Sequence, residues 1–210
     1  MSRPVGAKPV RHWQLLLAVL FSICAQVSYA DTQSDKLRHV KAAFVLNIAK
    51  FVSWPAEVYQ ARPEQLLMCH YQGDFLGKGF ETIRERKVGG RQLLSQPRQS
   101  LVDSSECDIL LVPEEQLPAL SEEAALGFDQ PVLTIVDLTS REAEGIAHPG
   151  ILLALVRDGA RIGFEVNLSA VNRTGLQLSS QLLKLANIVR DANTAIESVS
   201  PESGDDDNHR

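Results

Sequence analysis

Apolar residues at Leu37, Val40, Phe44, Ile48 and Phe51 fall three or four positions apart. That spacing predicts an amphipathic helix from Lys36 to Val52, closed by Trp54-Pro55 because proline disfavours helix in the residue before it. Further on the period changes. Leu66–Tyr71 (LLMCHY), Asp108–Val112 (DILLV) and Val132–Val136 (VLTIV) are short apolar runs, the pattern of strands covered on both faces. Helices are predicted between them, over about Gly77–Glu85 and from Pro113 to about Ala125, with a weaker strand at Arg91–Leu94. Ile151–Val156 and Arg161–Val166 flank Asp158-Gly159, the dipeptide of a tight hairpin. Ser179 is the expected N-cap of a last helix whose stripe is Leu182, Leu185 and Val189, ending near Asp191. The fold class is therefore α/β: one domain with a mostly parallel central sheet, a C-terminal antiparallel hairpin and helices on both faces.

The ends of the chain read differently. Arg3, Lys8 and Arg11 precede the apolar run Leu15–Cys24, and small residues stand at Ser28 and Ala30. These are the parts of a secretion signal over residues 1–30, cleaved after Ala30. The run is shorter than the ~20 residues a spanning helix needs, so no membrane insertion is expected after cleavage. Residues 31–195 form the domain and residues 196–210, with Asp205–Asp207, an acidic tail expected to be disordered. Cleavage removes three cations and no acid, making the domain more acidic than the −5 of the full chain. No run of clustered Lys and Arg stands in what remains, which argues against nucleic acid and anionic membrane as partners.

Of three cysteines, Cys24 leaves with the signal. In an oxidising compartment Cys69 and Cys107 then have a disulfide as their default, the alternative being two separate buried thiols.

A search for catalytic chemistry returns little. There is no paired-histidine zinc motif, phosphate-binding loop, nucleophile elbow or C-x-x-C pair, and Gly73, Gly77 and Gly79 lack the dinucleotide spacing. No catalytic, cofactor-binding or metal residues are assigned, and no cofactor is expected. Polar residues that core building does not explain are Lys41, Asn47 and Lys50 on the first helix, Trp54 at its end, and Glu165 and Asn167 on the last strand. Each is a candidate partner contact. The competing readings are a solvated helix face, a helix stop, and groups that satisfy the backbone at the strand's end.

Together these residues form a series: Val40-Lys41-Ala42-Ala43-Phe44, Lys50-Phe51-Val52 with Trp54-Pro55, Val88-Gly89-Gly90-Arg91, Cys107-Asp108-Ile109-Leu110, Phe164-Glu165-Val166-Asn167 and Ser179–Ala186. The series resembles the YfiR family of bacterial periplasmic proteins over about Lys36 to Val189. The resemblance implies a non-enzymatic repressor that binds the sensor region of an inner-membrane diguanylate cyclase and lowers cyclic di-GMP and biofilm formation. It further implies sequestration by an outer-membrane lipoprotein, a homodimer, and Cys69 with Cys107 as the family's more general cysteine pair. The second pair of the best-known member is missing here, and the family's G-G-x-I-x-F signature is weakened to Pro149-Gly150-Ile151-Leu152-Leu153. The rival expectation is a small-ligand-binding module feeding a membrane sensor kinase, with a pocket near Tyr71–Asp74 and Val112–Glu114, since open α/β sheets offer a crevice at their strands' carboxyl ends.

Overall fold

The structure, a computed structural model, describes residues 33–191. The expected signal segment, its expected cleavage site and the expected disordered tail lie outside the described residues. The chain begins with helix α1 (residues 33–49), a two-residue strand β1 (Val52–Ser53) and the short helix α2 (Ala56–Ala61). The main sheet is then laid down: β2 (Gln65–Tyr71), β3 (Lys87–Val88), β4 (Arg91–Arg98) and β5 (Ile109–Pro113), followed by helix α3 (Leu117–Ala124) and strands β6 (Leu133–Glu142), β7 (Leu153–Asp158) and β8 (Arg161–Asn167). Helix α4 (Leu168–Thr174), β9 (Gln177–Leu178), α5 (Ser180–Leu183) and β10 (Asn187–Val189) complete it.

The eight strands of the main sheet run in the order β10-β8-β7-β6-β5-β2-β4-β3. β4, β2, β5, β6 and β7 are mutually parallel, and β8 returns antiparallel to β7 through Gly159. In order of appearance the parallel strands therefore lie 2-1-3-4-5, a doubly wound arrangement whose direction of winding reverses between β2 and β5. Alternate residues of each strand go to opposite layers. Leu66, Met68, Ile109, Leu111, Ile135 and Leu155 pack with α1, whereas Leu67, Tyr71, Leu110, Val112 and Val136 pack with Leu117 and Leu120 of α3. Both faces are covered, which is why these strands carry no polar alternation.

Several elements differ from the sequence expectation. The helix predicted from Gly77 is a 3-10 segment, Gly77–Thr82. A side chain at Gly79 would place its Cβ 2.3 Å from the carbonyl oxygen of Arg38, so this segment owes its glycine to a close approach of backbone to α1. The last helix stops after one turn. Ser179 does cap it, accepting from the Leu182 amide, but Leu185 is exposed and Asn187–Val189 pairs with β8 as an edge strand instead. β-branched Ile188 and Val189 favour that extended form, and the sheet edge supplies the partner. β1 pairs with β9, and neither strand was expected.

α1 itself forms where expected with a different face inward. Ala42, Val45, Leu46, Ile48 and Ala49 are buried against the sheet, while Leu37 and Val40, whose spacing announced the helix, face solvent.

Candidate functional site

At the carboxyl ends of the parallel strands lies a cleft of about 340 Å³. Its walls are the Asp74–Phe75 loop after β2, Pro113–Glu115 at the end of β5, and Asp137, Thr139 and Ser140 on β6, with α1 alongside. It thus sits at the point where the winding reverses, the place an open α/β sheet leaves for a ligand. Lys41 reaches down from α1 to Asp137, Nζ to Oδ2 at 2.6 Å, both side chains about nine-tenths buried. The other Asp137 oxygen accepts from the Thr139 amide and hydroxyl. Beside them, Glu114 accepts from the Ser140 hydroxyl and from Arg141 Nε at 2.6 Å, contacts that hold its carboxyl below the ordinary range. Asp74 closes the rim by accepting from the amides of Leu76 and Gly77, and lies 3.1 Å from Nδ1 of buried His70. Burial pushes the His70 pKa down, opposed by the Asp74 carboxylate.

A second recess, about 680 Å³, adjoins the first across Leu37 and Thr139. It runs between the outward side of α1 (Leu37, Val40, Phe44) and the tip of the β7–β8 hairpin (Arg157, Gly159–Ile162).

Below α1 is a buried ionic knot. Asp108, fully buried, accepts from Arg91 Nη1 at 3.1 Å and from the Leu67 amide at 2.6 Å, with Arg62 at 3.6 Å. The Arg91 guanidinium lies over both the Trp54 and Tyr59 rings, 5.1 and 4.5 Å from their centroids. Trp54 Nε1 donates to the Asp108 carbonyl at 3.0 Å.

Four of the six residues expected to face a partner are buried, Lys41 at the cleft and the other three engaged inside the fold. Trp54 is 5% exposed and serves as one half of the clamp on Arg91. Glu165 accepts from the Gly145 amide and from Asn187 Nδ2, tying β8 to the loop before β7 and to β10. Asn167 caps α4 through the Ala170 amide and donates to Asp191. These are the structural readings of the three residues, and in this form none of them offers a contact surface. Lys41 belongs to the cleft. Asn47 and Lys50 are exposed and bonded to each other, Nζ to Oδ1 at 3.2 Å. Cys69 on β2 and Cys107 before β5 are joined by a disulfide with a Cα–Cα distance of 6.0 Å.

A family model described as YfiR/HmsC-like matches residues 38–187. The chain belongs to the YfiR/HmsC-like family. The matched stretch contains all of α1 but its first five residues, the ionic knot, both cysteines and the hairpin. No curated protein matches the chain. Membership of this family implies a periplasmic regulator of cyclic di-GMP signalling, in a family that is regulatory rather than catalytic. Among the described residues no helix is long and apolar enough to cross a membrane, and no cluster of ligating side chains could hold a metal ion.

The pocket expected near Tyr71–Asp74 and Val112–Glu114 coincides with the cleft's Asp74 and Glu114, whereas sequence reasoning missed Asp108, Arg91 and Asp137 as site-building residues. One signal was available for Asp108, a charged residue set at the head of an apolar run directly after a cysteine. The others depend on partners far away in sequence.

Proposed function

We propose that this chain is an exported periplasmic repressor, released from its signal after Ala30, that binds the sensor region of an inner-membrane diguanylate cyclase and holds it inactive. The family membership supports the pathway. The observation that carries the mode of action is the outward side of α1. One face of that helix is buried in the core while Leu37 and Val40 remain 43% and 46% exposed on another, and Phe51, in the turn just past its end, is 38% exposed. Large apolar side chains left exposed along one element are where a protein contact is sought. Asn47 and Lys50 lie on the same exposed side and belong to the proposed surface.

Repression across a membrane requires no chemistry in this domain, only tighter binding to one state of the cyclase than to the other. Moving a cyclase from mostly active to mostly inactive calls for roughly 10⁴-fold preference. The test is deletion and complementation. Loss of the chain should raise cellular cyclic di-GMP, and the purified domain should retain a diguanylate cyclase from solubilised inner membrane. Unchanged cyclic di-GMP together with no cyclase retained would end this reading. Sequestration by an outer-membrane lipoprotein and a homodimer belong to the same proposal, tested by outer-membrane pull-down and by sedimentation.

The cleft favours a second reading, a small-ligand module feeding a membrane sensor kinase. It coincides with the crevice expected from the strand order, and its volume is within the range of small-molecule sites. A metabolite that raises the melting temperature of wild type but not of Lys41→Met would support it.

A further inference from the structure

We propose that the outward side of α1 is a seat for an acidic amphipathic helix of the membrane partner. This rests on the regulator reading above and adds the face and the chemistry of the contact. Leu37, Val40, Phe44 and Asn47 of α1, with Phe51 just past its end, are spaced three, four, three and four apart, Phe44 half-buried at the floor of the recess and the others exposed. That is the interval at which one helix meets another along a seam, and a single polar residue in such a seam, here Asn47, fixes register. The recess between α1 and the β7–β8 hairpin deepens the seam on one side, with Ile162 within it and Arg161 at its rim.

Charge selects the occupant. The protein carries a net −5, yet from Asp35 to Glu57 there is no acidic residue between, while Lys36, Arg38, Lys41 and Lys50 all fall there. Lys41 is paired with Asp137 and Arg38 lies against Gly77 at the first cleft, which leaves Lys36 and Lys50 beside the seam, Lys50 donating to Asn47. Asp35 faces Lys78 instead, and on the hairpin Glu142 is engaged by Arg157 while Asp158 stands opposite Arg161 across the turn. The seam is thus flanked by cations on an otherwise acidic domain, which steers an acidic partner toward it. The same cations repel a second copy laid face to face on this seam. Two lysines beside the seam, with Arg161 on the hairpin, are also few for an anionic bilayer, where each contributes about 1 kcal/mol.

The experiment uses the exported domain and three probes: a synthetic three-heptad helix with leucine in the seam and glutamate flanks, the same peptide with lysine flanks, and phosphatidylglycerol vesicles at physiological salt. The acidic peptide should bind at least about tenfold more tightly than the basic one. Leu37→Glu/Val40→Glu should abolish binding, and Lys36→Glu/Lys50→Glu, confined to the surface, should reverse the peptide preference. Melting curves check that both variants fold. In cells, Leu37→Glu/Val40→Glu should fail to restore low cyclic di-GMP where wild type succeeds. Equal binding of the two peptides, or full repression by the folded double variant, overturns the proposal while leaving the repressor reading intact. Vesicle binding lost in that variant assigns the face to lipid, self-association lost in it assigns the face to a second copy, and either overturns the proposal. If deletion leaves cyclic di-GMP unchanged, the repressor reading fails, and the peptide arm still decides what the face binds.

Discussion

Removing the carboxylate of Asp108 is the sharpest test of how this fold is held together. Asp108→Ala leaves Arg91, 1% exposed, without its ion pair, and leaves the Leu67 amide without its acceptor. Breaking a buried pair by deleting one partner costs about 3–5 kcal/mol, and an orphaned buried amide adds to that. Arg62 remains nearby, but as a cation it aggravates the loss rather than relieving it. For a domain of this size 4 kcal/mol corresponds to a fall in melting temperature of roughly 8 to 16 °C. The second arm is Asp108→Ala/Arg91→Met, which removes both charges and keeps an unbranched side chain between Trp54 and Tyr59. It should cost less than the sum of the two single substitutions by at least about 1 kcal/mol. Guanidinium unfolding followed by tryptophan fluorescence is well suited, because from Asp31 onward Trp54 is the chain's single tryptophan and it touches the knot. A single-variant cost under about 1 kcal/mol, or additivity within about 0.5, would refute the account of the knot as one cooperative unit.

The disulfide closes a separation of 38 residues, worth about 4 kcal/mol if it acts by limiting the unfolded chain. Cys69→Ser should therefore melt lower than wild type by roughly 8 to 16 °C and ignore reductant, and equal melting of wild type with and without reductant would contradict this. His70 has its pKa lowered by burial, so between that value and the ordinary 6.5 the unfolded chain binds more protons than the folded one. Stability should fall as pH drops below about 6.5, and His70→Gln should flatten the slope of denaturation midpoint against pH. His148, lowered chiefly by burial as well, would keep a residual slope. Gly79→Ala should cost about 2 kcal/mol or more, since its methyl meets the α1 backbone rather than a movable side chain. The same substitution at Gly163, whose nearest neighbour is the Asp158 side chain at 3.2 Å, should cost less.

What could be read from sequence follows the range of the forces involved. The apolar runs of β2, β5 and β6 announced themselves because burial on both faces leaves a local signature. Asp158-Gly159 announced its turn for the same reason. The edge strand β10 did not, because its residues are extended only by virtue of pairing with β8 from twenty residues earlier. Trp54 shows the limit for a site. An aromatic beside a helix stop looks like an exposed anchor until Arg91 and Asp108, brought in by separate strands, close around it. Lys41 likewise looked like a solvated position, because Asp137 lies 96 residues away in sequence. The seam on α1 was legible as spacing but not as orientation. Periodicity shows that a helix has an apolar side, and only the sheet shows that this helix has a second one.

The pairing of β1 with β9 also constrains the order of events in the life of the chain. Val52 meets Leu178, and the layer that covers α1 includes Phe164 and Val166 as well as Leu66 and Met68, so the packing of the first elements is completed only by nearly the last. Contacts of such long sequence separation form slowly and late. A nascent chain in this state cannot lock into its native form before most of it has been synthesised. On the export route proposed above, delay of that kind would keep the polypeptide threadable through a translocation channel and postpone folding until the oxidant that joins Cys69 to Cys107 is at hand.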